Sequence, residues 1–506
     1  MPKYTLTVGL EIHTELKTAA KMFCDSHNPL GHEDRPNTAI CPVCMGHPGT
    51  LPTINRKAVE QVIQAGLALG CQISPQTYFE RKNYFYPDLP KGYQISQYLH
   101  PLCAAGTLSI ALDGYTKDVR ITRIHLEEDT GKLTHPEGKD YSLVDYNRSS
   151  VPLMELVTEP DIATPDEAFA FAKSLQLIFR YLGIADADME NGQMRLEANI
   201  SVSKTSKLGT KVEVKNLNSF AVLKKAIAYE FERQTELLER GGVVRQETRG
   251  WDDKKQKTFS QRIKEESMDY RYFPDPDLPH LVIRVTPDQT LPDAIDEADV
   301  IDAVALAQTL PELPRERSER LVREYGISTY EATLLTEDQN LGNLFSEMES
   351  EFIALAGTDA VQKHPQYIKT ITSLVIGDIK KILNERELAG NTTPLNAEYL
   401  AHTVYLVETK KISLPMAKRI ITLIDERDID PETIMRDEKM ELVADANALT
   451  AATRDVIAHH TKAVEDYRAG KMNAFEFLVG QIMRATRGQA DIQSARDVLT
   501  RLLNEK

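Results

Sequence analysis

The chain has 506 residues, of which 42% are hydrophobic and 27% charged, and its formal net charge is −16 at pH 7. This composition is typical of a globular protein with more than one domain. It excludes a membrane-spanning protein, because no stretch approaches the roughly 20 apolar residues that a membrane helix needs. The acidic balance argues against nucleic-acid binding over the whole surface, although residues 470–506 carry six basic against four acidic side chains.

The N-terminus and the cysteines indicate a cytoplasmic protein. Residues 1–8 lack the apolar stretch and the cleavage site of a secretory signal. The five cysteines are odd in number, and none lies beyond Cys103. We therefore expect no disulfide framework.

The first part of the chain shows mixed strand and helix patterns. Alternation of apolar and polar residues predicts strands at residues 4–8, 107–112, 119–124 and 211–215. Helical spacing of apolar residues predicts helices at residues 56–69 and 165–182. Thr164 is a suitable N-cap for the second helix, since Pro165 follows it. Returning strands mixed with helices favour a largely antiparallel α+β domain.

Helix breakers end this part of the chain. The segment Phe273–Pro279 holds three prolines, so we place the domain boundary near residue 290. Helical patterns dominate beyond it, especially after residue 395. Phe475, Leu478, Val479, Ile482 and Met483 share one helix face. We expect that helix to end at Gly488 and a last helix to follow at residues 491–503.

Acidic residues and one histidine carry the first candidate chemistry. Glu11 and His13 lie two residues apart in a predicted strand, so they share a face and suit a metal ion or an acid–base pair. A buried core histidine beside a surface glutamate fits the pattern too. Glu155 stands among apolar residues, where a carboxylate is costly unless it is paired or metal-bound.

Glu127, Glu128 and Asp129 follow a predicted strand that ends near Leu126. Three neighbouring acids repel one another unless a cation faces them. A solvated acidic turn and a metal site both remain open.

Cys24, Cys41 and Cys44 resemble half of a zinc ribbon, with Cys41 and Cys44 in a Cys-x-x-Cys pair. His27, His32 and His47 are candidates for a fourth ligand. A structural zinc site, no metal, and a redox pair are the three interpretations.

Residues 81–97 combine aromatic and basic side chains, which suits stacking on a base and contact with phosphate, or an ordinary packed loop. No Gly-x4-Gly-Lys-Ser/Thr loop and no Gly-x-Gly-x-x-Gly motif is present. Any ATP site must therefore be of another kind.

Together these stretches resemble the B-subunit family of bacterial glutamyl/aspartyl-tRNA amidotransferases. The resemblance covers nearly the whole chain in the same order. The matching motifs are Val8-Gly9-Leu10-Glu11-Ile12-His13, Asn37-Thr38, Cys41-Pro42-Val43-Cys44, and residues 48–52, 81–97, 125–129, 142–148, 159–161, 215–220, 246–249, 269–274 and 475–483.

The resemblance implies a cradle-shaped catalytic domain at residues 1–292, with a zinc-knuckle-like insertion at residues 24–44. A helical domain at residues 293–400 and a tRNA-binding helical tail at residues 401–506 follow. It implies phosphorylation by ATP of the side-chain carboxylate of Glu-tRNA(Gln) or Asp-tRNA(Asn), or both, and then amidation with ammonia. The implied partners are an amidase A subunit, a small C subunit and the aminoacylated tRNA.

The resemblance also implies site residues. Glu11, His13, Glu128 and Glu155 are expected to be catalytic, and together with Glu127 they are the expected Mg²⁺ ligands. The expected ATP-contacting residues are Lys82, Tyr86, Lys91, Arg195, Asn199, Lys215 and Asn216. The chain departs from the family at Ser26, where many members have a second cysteine, and at Glu197, where aspartate is usual.

Two other functions remain open on the sequence. A tRNA-binding scaffold without chemistry would leave Glu155 alone in solvent. An autonomous metal hydrolase would act on a small substrate without tRNA or partner subunits.

Overall fold

The computed structural model describes residues 4–31, 33, 35–263, 269–292, 295–357, 359–388, 394–440, 446–486, 490 and 492–504. The chain divides into two compact units, Met1–Leu313 and Pro314–Lys506. The first unit is α+β and the second is helical, as the sequence predicts. None of the described helices combines the length and the apolar character required to cross a membrane.

The first unit contains short and long strands and four helices among its described residues. The strands are β1 (Thr5–Glu15), β2 (Gln72–Ile73), β3 (Gln76–Thr77), β4 (Glu80–Asn83), β5 (Tyr93–Ser96), β6 (Cys103–Leu112), β7 (Tyr115–Glu128), β8 (Lys132–Thr134), β9 (Leu143–Asp145), β10 (Pro152–Thr158), β11 (Met194–Ser203), β12 (Val212–Leu217), β13 (Glu247–Asp252), β14 (Lys257–Ile263), β15 (Phe273–Pro274), β16 (Leu281–Arg284) and β17 (Ile301–Asp302). The helices are α1 (Arg56–Ala68), α2 (Pro165–Tyr181), α3 (Phe220–Glu239) and α4 (Ala303–Gln308), with a 3₁₀ turn at Glu297–Asp299.

A nine-stranded sheet, counted over the described residues, has the order β14-β13-β12-β11-β1-β10-β7-β6-β2. Its described pairings are antiparallel except for β12 with β13. The predicted strands and the two predicted helices are confirmed. The hydroxyl of Thr164 accepts a hydrogen bond of 3.1 Å from the backbone N–H of Glu167 and caps α2.

The sheet has one apolar and one charged face, because strand residues alternate in direction. Leu10 and Ile12 of β1 and Leu126 of β7 lie in the apolar core, on which α1, α2 and α3 pack. The alternate residues of the same strands are charged. The helices therefore cover only the apolar face, and the charged face is available to form a site.

The unit continues past residue 292. The guanidinium of Arg56 donates hydrogen bonds of 2.7 Å to the backbone carbonyls of Ala298 and Val300. Ile301 and Ala303 belong to the same apolar core.

The second unit contains two apolar cores. Its described helices are α5 (Pro314–Tyr325), α6 (Thr329–Thr336), α7 (Gln339–Ala356), α8 (Ala360–Lys363), α9 (Tyr367–Leu374), α10 (Lys380–Leu388), α11 (Ala397–Glu408), α12 (Leu414–Arg427), α13 (Pro431–Glu438), α14 (Ala446–His459), α15 (Thr461–Arg468), α16 (Met472–Ala485) and α17 (Ile492–Asn504), with a π-helical segment at Val375–Ile379.

One core spans residues 321–434 and the other residues 449–503. Four residues of the predicted face of α16, namely Phe475, Leu478, Val479 and Ile482, are buried in the second of these cores. The predicted helix end at Gly488 lies outside the described residues, as does Asp491, the predicted start of the last helix.

Candidate active site and cysteine cluster

Four neighbouring strands place polar side chains in one row across the charged face. The register sets His125 of β7 opposite Glu155 of β10, Glu155 opposite His13 of β1, and His13 opposite Arg195 of β11. Glu155 Oε2 lies 3.4 Å from Nε2 of His13 and 3.4 Å from Nε2 of His125. Glu155 is thus the shared partner of two imidazoles.

Two further carboxylates lie on the same face, each two residues along its strand from a histidine of this row. Glu127 Oε1 is 3.7 Å and Glu11 Oε1 is 3.9 Å from Nε2 of His13. Two groups of potential metal ligands result, Glu11–His13–Glu155 and His125–Glu127–Glu155. A carboxylate shared between two such groups is what a two-metal site would use. Carboxylate oxygens with imidazole nitrogen suit Mg²⁺ or Mn²⁺.

The charges in this group stabilise one another. Burial disfavours the charged form of His13, but hydrogen bonding to Glu155 and the charges of Glu155, Glu127 and Glu11 outweigh it and raise the His13 pKa to about 9. Burial likewise opposes ionisation of Glu155, yet His125 and His13 hold its pKa well below the usual range. A bound cation would take over the role of the imidazolium charges, because metal ligands must be deprotonated.

His125 was not among the predicted site residues. The signal that would have found it is its spacing, since His125 and Glu127 repeat on β7 the two-residue spacing of Glu11 and His13 on β1. Its ring is buried, and Nε2 lies 3.9 Å from Glu127 Oε2.

The structure places Glu128 apart from this group. The strand β7 runs to Glu128 and not to Leu126, so Glu127 and Glu128 point to opposite faces. Glu128 Oε2 lies 2.6 Å from Nζ of Lys91, and Oε1 accepts a hydrogen bond of 2.9 Å from the backbone N–H of Ile95. Among the described ligand groups, none includes Glu128.

Each acid of the predicted acidic turn is buried and faces a cation. Lys91 meets Glu128, and Arg148 and Arg195 both contact Asp129. Of the two interpretations left open for this acidic run, the solvated turn is wrong, because the carboxylates are buried and these ion pairs compensate their burial.

Tyrosine rings flank Lys82 beside the cluster of carboxylates. Nζ of Lys82, on β4, lies 5.1 Å from the ring centre of Tyr270 and 5.9 Å from that of Tyr84. Burial disfavours its charge, but Glu127, the two tyrosines Tyr272 and Tyr84, and Glu155 raise the Lys82 pKa. The ammonium of Lys82 therefore stays charged beside the carboxylates. Tyr86, by contrast, is exposed to solvent.

A third acidic group lies beyond Glu11 on the neighbouring strands. Glu11, Glu197 and Glu213 bring one oxygen each within 4.8 Å of the others. Nζ of Lys215 lies 2.8 Å from Glu197 and 3.7 Å from Glu213. Neither Glu197 nor Glu213 was predicted as a ligand.

A bulge between β11 and β12 shapes this corner. The register slips between Leu196 and Ala198, and Asn216 takes the left-handed conformation with φ of 62°. Bulges re-aim side chains beside functional sites. Asn216 is exposed, whereas Oδ1 of Asn199 is buried without a hydrogen-bond partner among the described residues.

The three cysteines converge as predicted. Sγ atoms of Cys24, Cys41 and Cys44 all lie within 4.8 Å of one another, and those of Cys41 and Cys44 are 3.8 Å apart. Tetrahedral zinc with bonds of about 2.3 Å requires sulphur atoms about 3.8 Å apart. The hydrogen bond between Cys24 and Cys44 lowers the pKa of Cys44 and raises that of Cys24. The cysteines thus fit zinc.

The described histidines do not complete the group. Neither His27 nor His47 joins the ligand set, and His32 lies outside the described residues. Ser26 hydrogen-bonds to Cys24 through its backbone and its side chain. The turn that follows Cys44 contains Gly46, with φ of +66°, where a Cβ atom would lie 3.1 Å from the backbone of Lys91.

Comparison with known proteins agrees with these features. Residues 6–287 match the family described as GatB/GatE catalytic domain, and residues 358–503 match the family described as GatB domain. The B subunit of the aspartyl/glutamyl-tRNA(Asn/Gln) amidotransferase of Caldicellulosiruptor saccharolyticus is 43% identical over 502 residues, which are 98% of each chain. The protein of the same name from Dehalococcoides mccartyi is 42% identical over 514 residues, covering 100% of each chain. The predicted resemblance is confirmed, and the chain belongs to the GatB/GatE family.

Proposed function

We propose that this chain is the subunit of a tRNA-dependent amidotransferase that activates the side-chain carboxylate of Glu-tRNA(Gln) or Asp-tRNA(Asn), or both, and then converts it to an amide. The observation that carries the proposal is the buried Glu155, shared by His13 and His125, with Glu11 and Glu127 beside it. A tRNA-binding scaffold would have no need for so many buried charges on one face.

The chemistry explains why such a group is required. A carboxylate is a poor electrophile until phosphorylation by ATP gives it a leaving group, which ammonia then displaces. Phosphoryl transfer depends on positioning and on neutralising the charge of the transferring group. Glu11, His13, Glu127, His125 and Glu155 would hold Mg²⁺, which supplies that neutralisation when bound.

Cationic side chains around this group would position the phosphates in place of a glycine-rich loop. Lys82 extends toward Glu127 and Glu155 from one side, and Lys215 lies beside Glu197 on the other. We propose these two as direct phosphate or carboxylate contacts. Arg195 and Lys91 are already engaged by Asp129 and Glu128, so we propose that they orient the site.

Tyr86, Asn199 and Asn216 are proposed as further ATP contacts. The buried unpaired oxygen of Asn199 supports a polar ligand there. The exposed ring of Tyr86 suits stacking on a base.

We also propose a structural zinc ion at Cys24, Cys41 and Cys44. The sulphur spacing supports it, as does the backbone N–H of Cys41, which donates to Sγ of Cys44 at 3.1 Å. The same cysteines would tie the segment before β10 in place, because the Ser149 hydroxyl donates to the Cys44 carbonyl at 3.2 Å.

We propose three domains: the cradle at residues 1–292, a helical domain at residues 293–400 and a helical tail at residues 401–506. The tail is proposed to bind tRNA. A cavity of about 740 Å³ in the tail is lined by His459, His460, Lys462, Lys471 and Phe477, among others. Basic and aromatic side chains together suit a nucleic-acid backbone and an unpaired base. Ammonia would come from an amidase A subunit, held with a small C subunit.

One experiment tests the function and its alternatives. The chain is combined with amidase and small partner subunits, and ADP formation is followed with Glu-tRNA(Gln), with Asp-tRNA(Asn) and without tRNA. We expect ADP formation that depends on a mischarged tRNA and is lost in Glu155→Gln. No ADP formation with any tRNA would support a scaffold, and hydrolysis without tRNA or partners would support a hydrolase. Unchanged turnover in Glu155→Gln would contradict the proposed role of Glu155.

A further inference from the structure

A buried lysine contacts the cysteine cluster and has no carboxylate partner among the described residues. Lys21 is 0% exposed and is among the largest fully buried side chains of the described residues. Its Nζ lies 3.9 Å from Sγ of Cys44 and donates to the backbone carbonyl of Tyr146 at 3.3 Å.

A buried ammonium needs a compensating negative charge. Among the described residues, no carboxylate oxygen lies within 4.0 Å of the Lys21 Nζ, so Lys21 forms no ion pair with an acid there. Burial lowers the pKa of Lys21, and the charges of Cys44, Cys24 and Cys41 oppose that shift. The nearest anionic candidate is the sulphur of Cys44, 3.9 Å from the Lys21 Nζ, so a thiolate there would compensate the ammonium.

The charge of a three-cysteine zinc site matches this requirement. Zn²⁺ with three thiolates carries one net negative charge, and the described residues offer no fourth cysteine, histidine or carboxylate. The hydroxyl residue Ser26 stands near Cys24 instead and adds no charge. One ammonium makes the whole cluster neutral.

We propose that Lys21 is the internal counter-ion of the zinc-thiolate cluster formed by Cys24, Cys41 and Cys44, holding zinc through charge balance and not as a ligand. The inference rests on the proposed zinc site. It assigns Lys21 a positioning role, exerted through its contact with Cys44.

Zinc affinity of the full chain is the first measurement. Metal content and competition with a chromophoric chelator are compared for the wild type, Lys21→Met and Lys21→Gln. Both variants remove the charge, and Lys21→Gln keeps a donor for the Tyr146 carbonyl. We expect zinc affinity to fall by about tenfold or more in both variants, because an opposite charge near the cluster is lost in a poorly solvated setting. Lys17→Met is the control, since Lys17 is exposed and pairs with Asp186.

Thiolate reactivity provides a second readout of the lost charge. At saturating zinc, we expect faster alkylation of Cys24, Cys41 and Cys44 in both variants, because the thiolates are more nucleophilic without the neighbouring cation. Cys71 and Cys103 are buried in the sheet core and report on the fold, since they remain unlabelled while it is intact.

The outcomes separate the two proposals. A wild-type chain that binds no zinc overturns both. Zinc binding in the wild type with unchanged affinity in Lys21→Gln leaves the zinc site standing and overturns the role of Lys21. If a variant is purified unfolded, excess zinc should restore its fold by mass action, and a variant that stays unfolded at saturating zinc contradicts the inference.

Discussion

Glu155 Oε2 lies 3.4 Å from Nε2 of His13, across the pairing of β10 with β1. This contact joins two strands whose residues are far apart in sequence, and it sets the centre of the charged face. In Glu155→Gln we expect ATP turnover by the assembled enzyme to fall by about a hundredfold or more, since the carboxylate proposed as the shared metal ligand is lost. ADP release with mischarged tRNA measures it.

The matched control for that change is Glu159→Gln. Glu159 lies beyond the end of β10 and accepts a 2.7 Å hydrogen bond from the Thr122 hydroxyl. We expect near wild-type turnover in the control. Equal losses in both variants would mean that Glu155 has no special part in the reaction.

Lys82 supplies the second prediction. Lys82→Met removes the cation that faces Glu127 and Glu155 and keeps a side chain of similar length. We expect ATP turnover to fall by about tenfold or more while thermal unfolding changes little, because phosphoryl transfer depends on charge placed at the site. Steady-state kinetics with varied ATP separates an effect on KM from one on kcat. Lys57→Met, on the exposed side of α1, is the control, and a loss of the same size there would argue against a role of Lys82.

Glu230 provides a prediction for stability. This fully buried carboxylate of α3 contacts Arg233 at 2.7 Å and Arg249 at 3.1 Å. Burial opposes its ionisation, but Arg233, Gln234 and Thr258 lower the Glu230 pKa. The group therefore stabilises the fold above the pKa that it has in the unfolded chain, and this contribution is lost as the pH falls through the lower folded-state pKa.

In Glu230→Gln we expect the free energy of unfolding to fall by roughly 3 kcal/mol at pH 7, since two guanidinium groups lose a buried partner. The difference from the wild type should shrink as the pH falls below about 4. Urea unfolding is followed by the fluorescence of Trp251, the single tryptophan, whose ring centre lies 6.3 Å from that of Tyr229 on α3. Glu236→Gln, exposed on the same helix, should have little effect at either pH.

The tail gives the fourth prediction. Truncation after Met440 removes the core at residues 449–503 and leaves the core at residues 321–434 complete. We expect tRNA affinity to fall by at least about tenfold, because the basic and aromatic cavity is removed with it. Filter binding measures the affinity, and Trp251 fluorescence checks that the first unit stays folded. Unchanged affinity would refute the tRNA-binding role of the tail.

Much of the first unit could be predicted from local patterns. Alternation and helical spacing found β1, α1 and α2, and the two-residue spacing of Glu11 and His13 placed both on the charged face. Glu155 stood out because a carboxylate within an apolar strand requires a partner.

Strand register and long-range ion pairs could not be predicted from one sequence. His125 became a site residue only when pairing with β10 placed it opposite Glu155. The strand β7 continues through Glu127 and Glu128 despite the low strand propensity of acids, and distant cations, Lys91 and Arg195, pair with Glu128 and with the next residue, Asp129. The burial of Lys21 likewise depends on residues far along the chain, such as Tyr146.

Gly46 places the turn that follows the cysteine cluster against Lys91. Because Gly46 has no side chain, the turn after Cys44 packs closely against the backbone of Lys91. The ammonium of Lys91 forms an ion pair with Glu128, which is next to Glu127 in sequence. The proposed zinc would hold that turn in place and, through Lys91, the end of β7. If the proposed zinc is bound, its removal is expected to lower amide synthesis by the proposed enzyme, although the zinc would not contact the substrate.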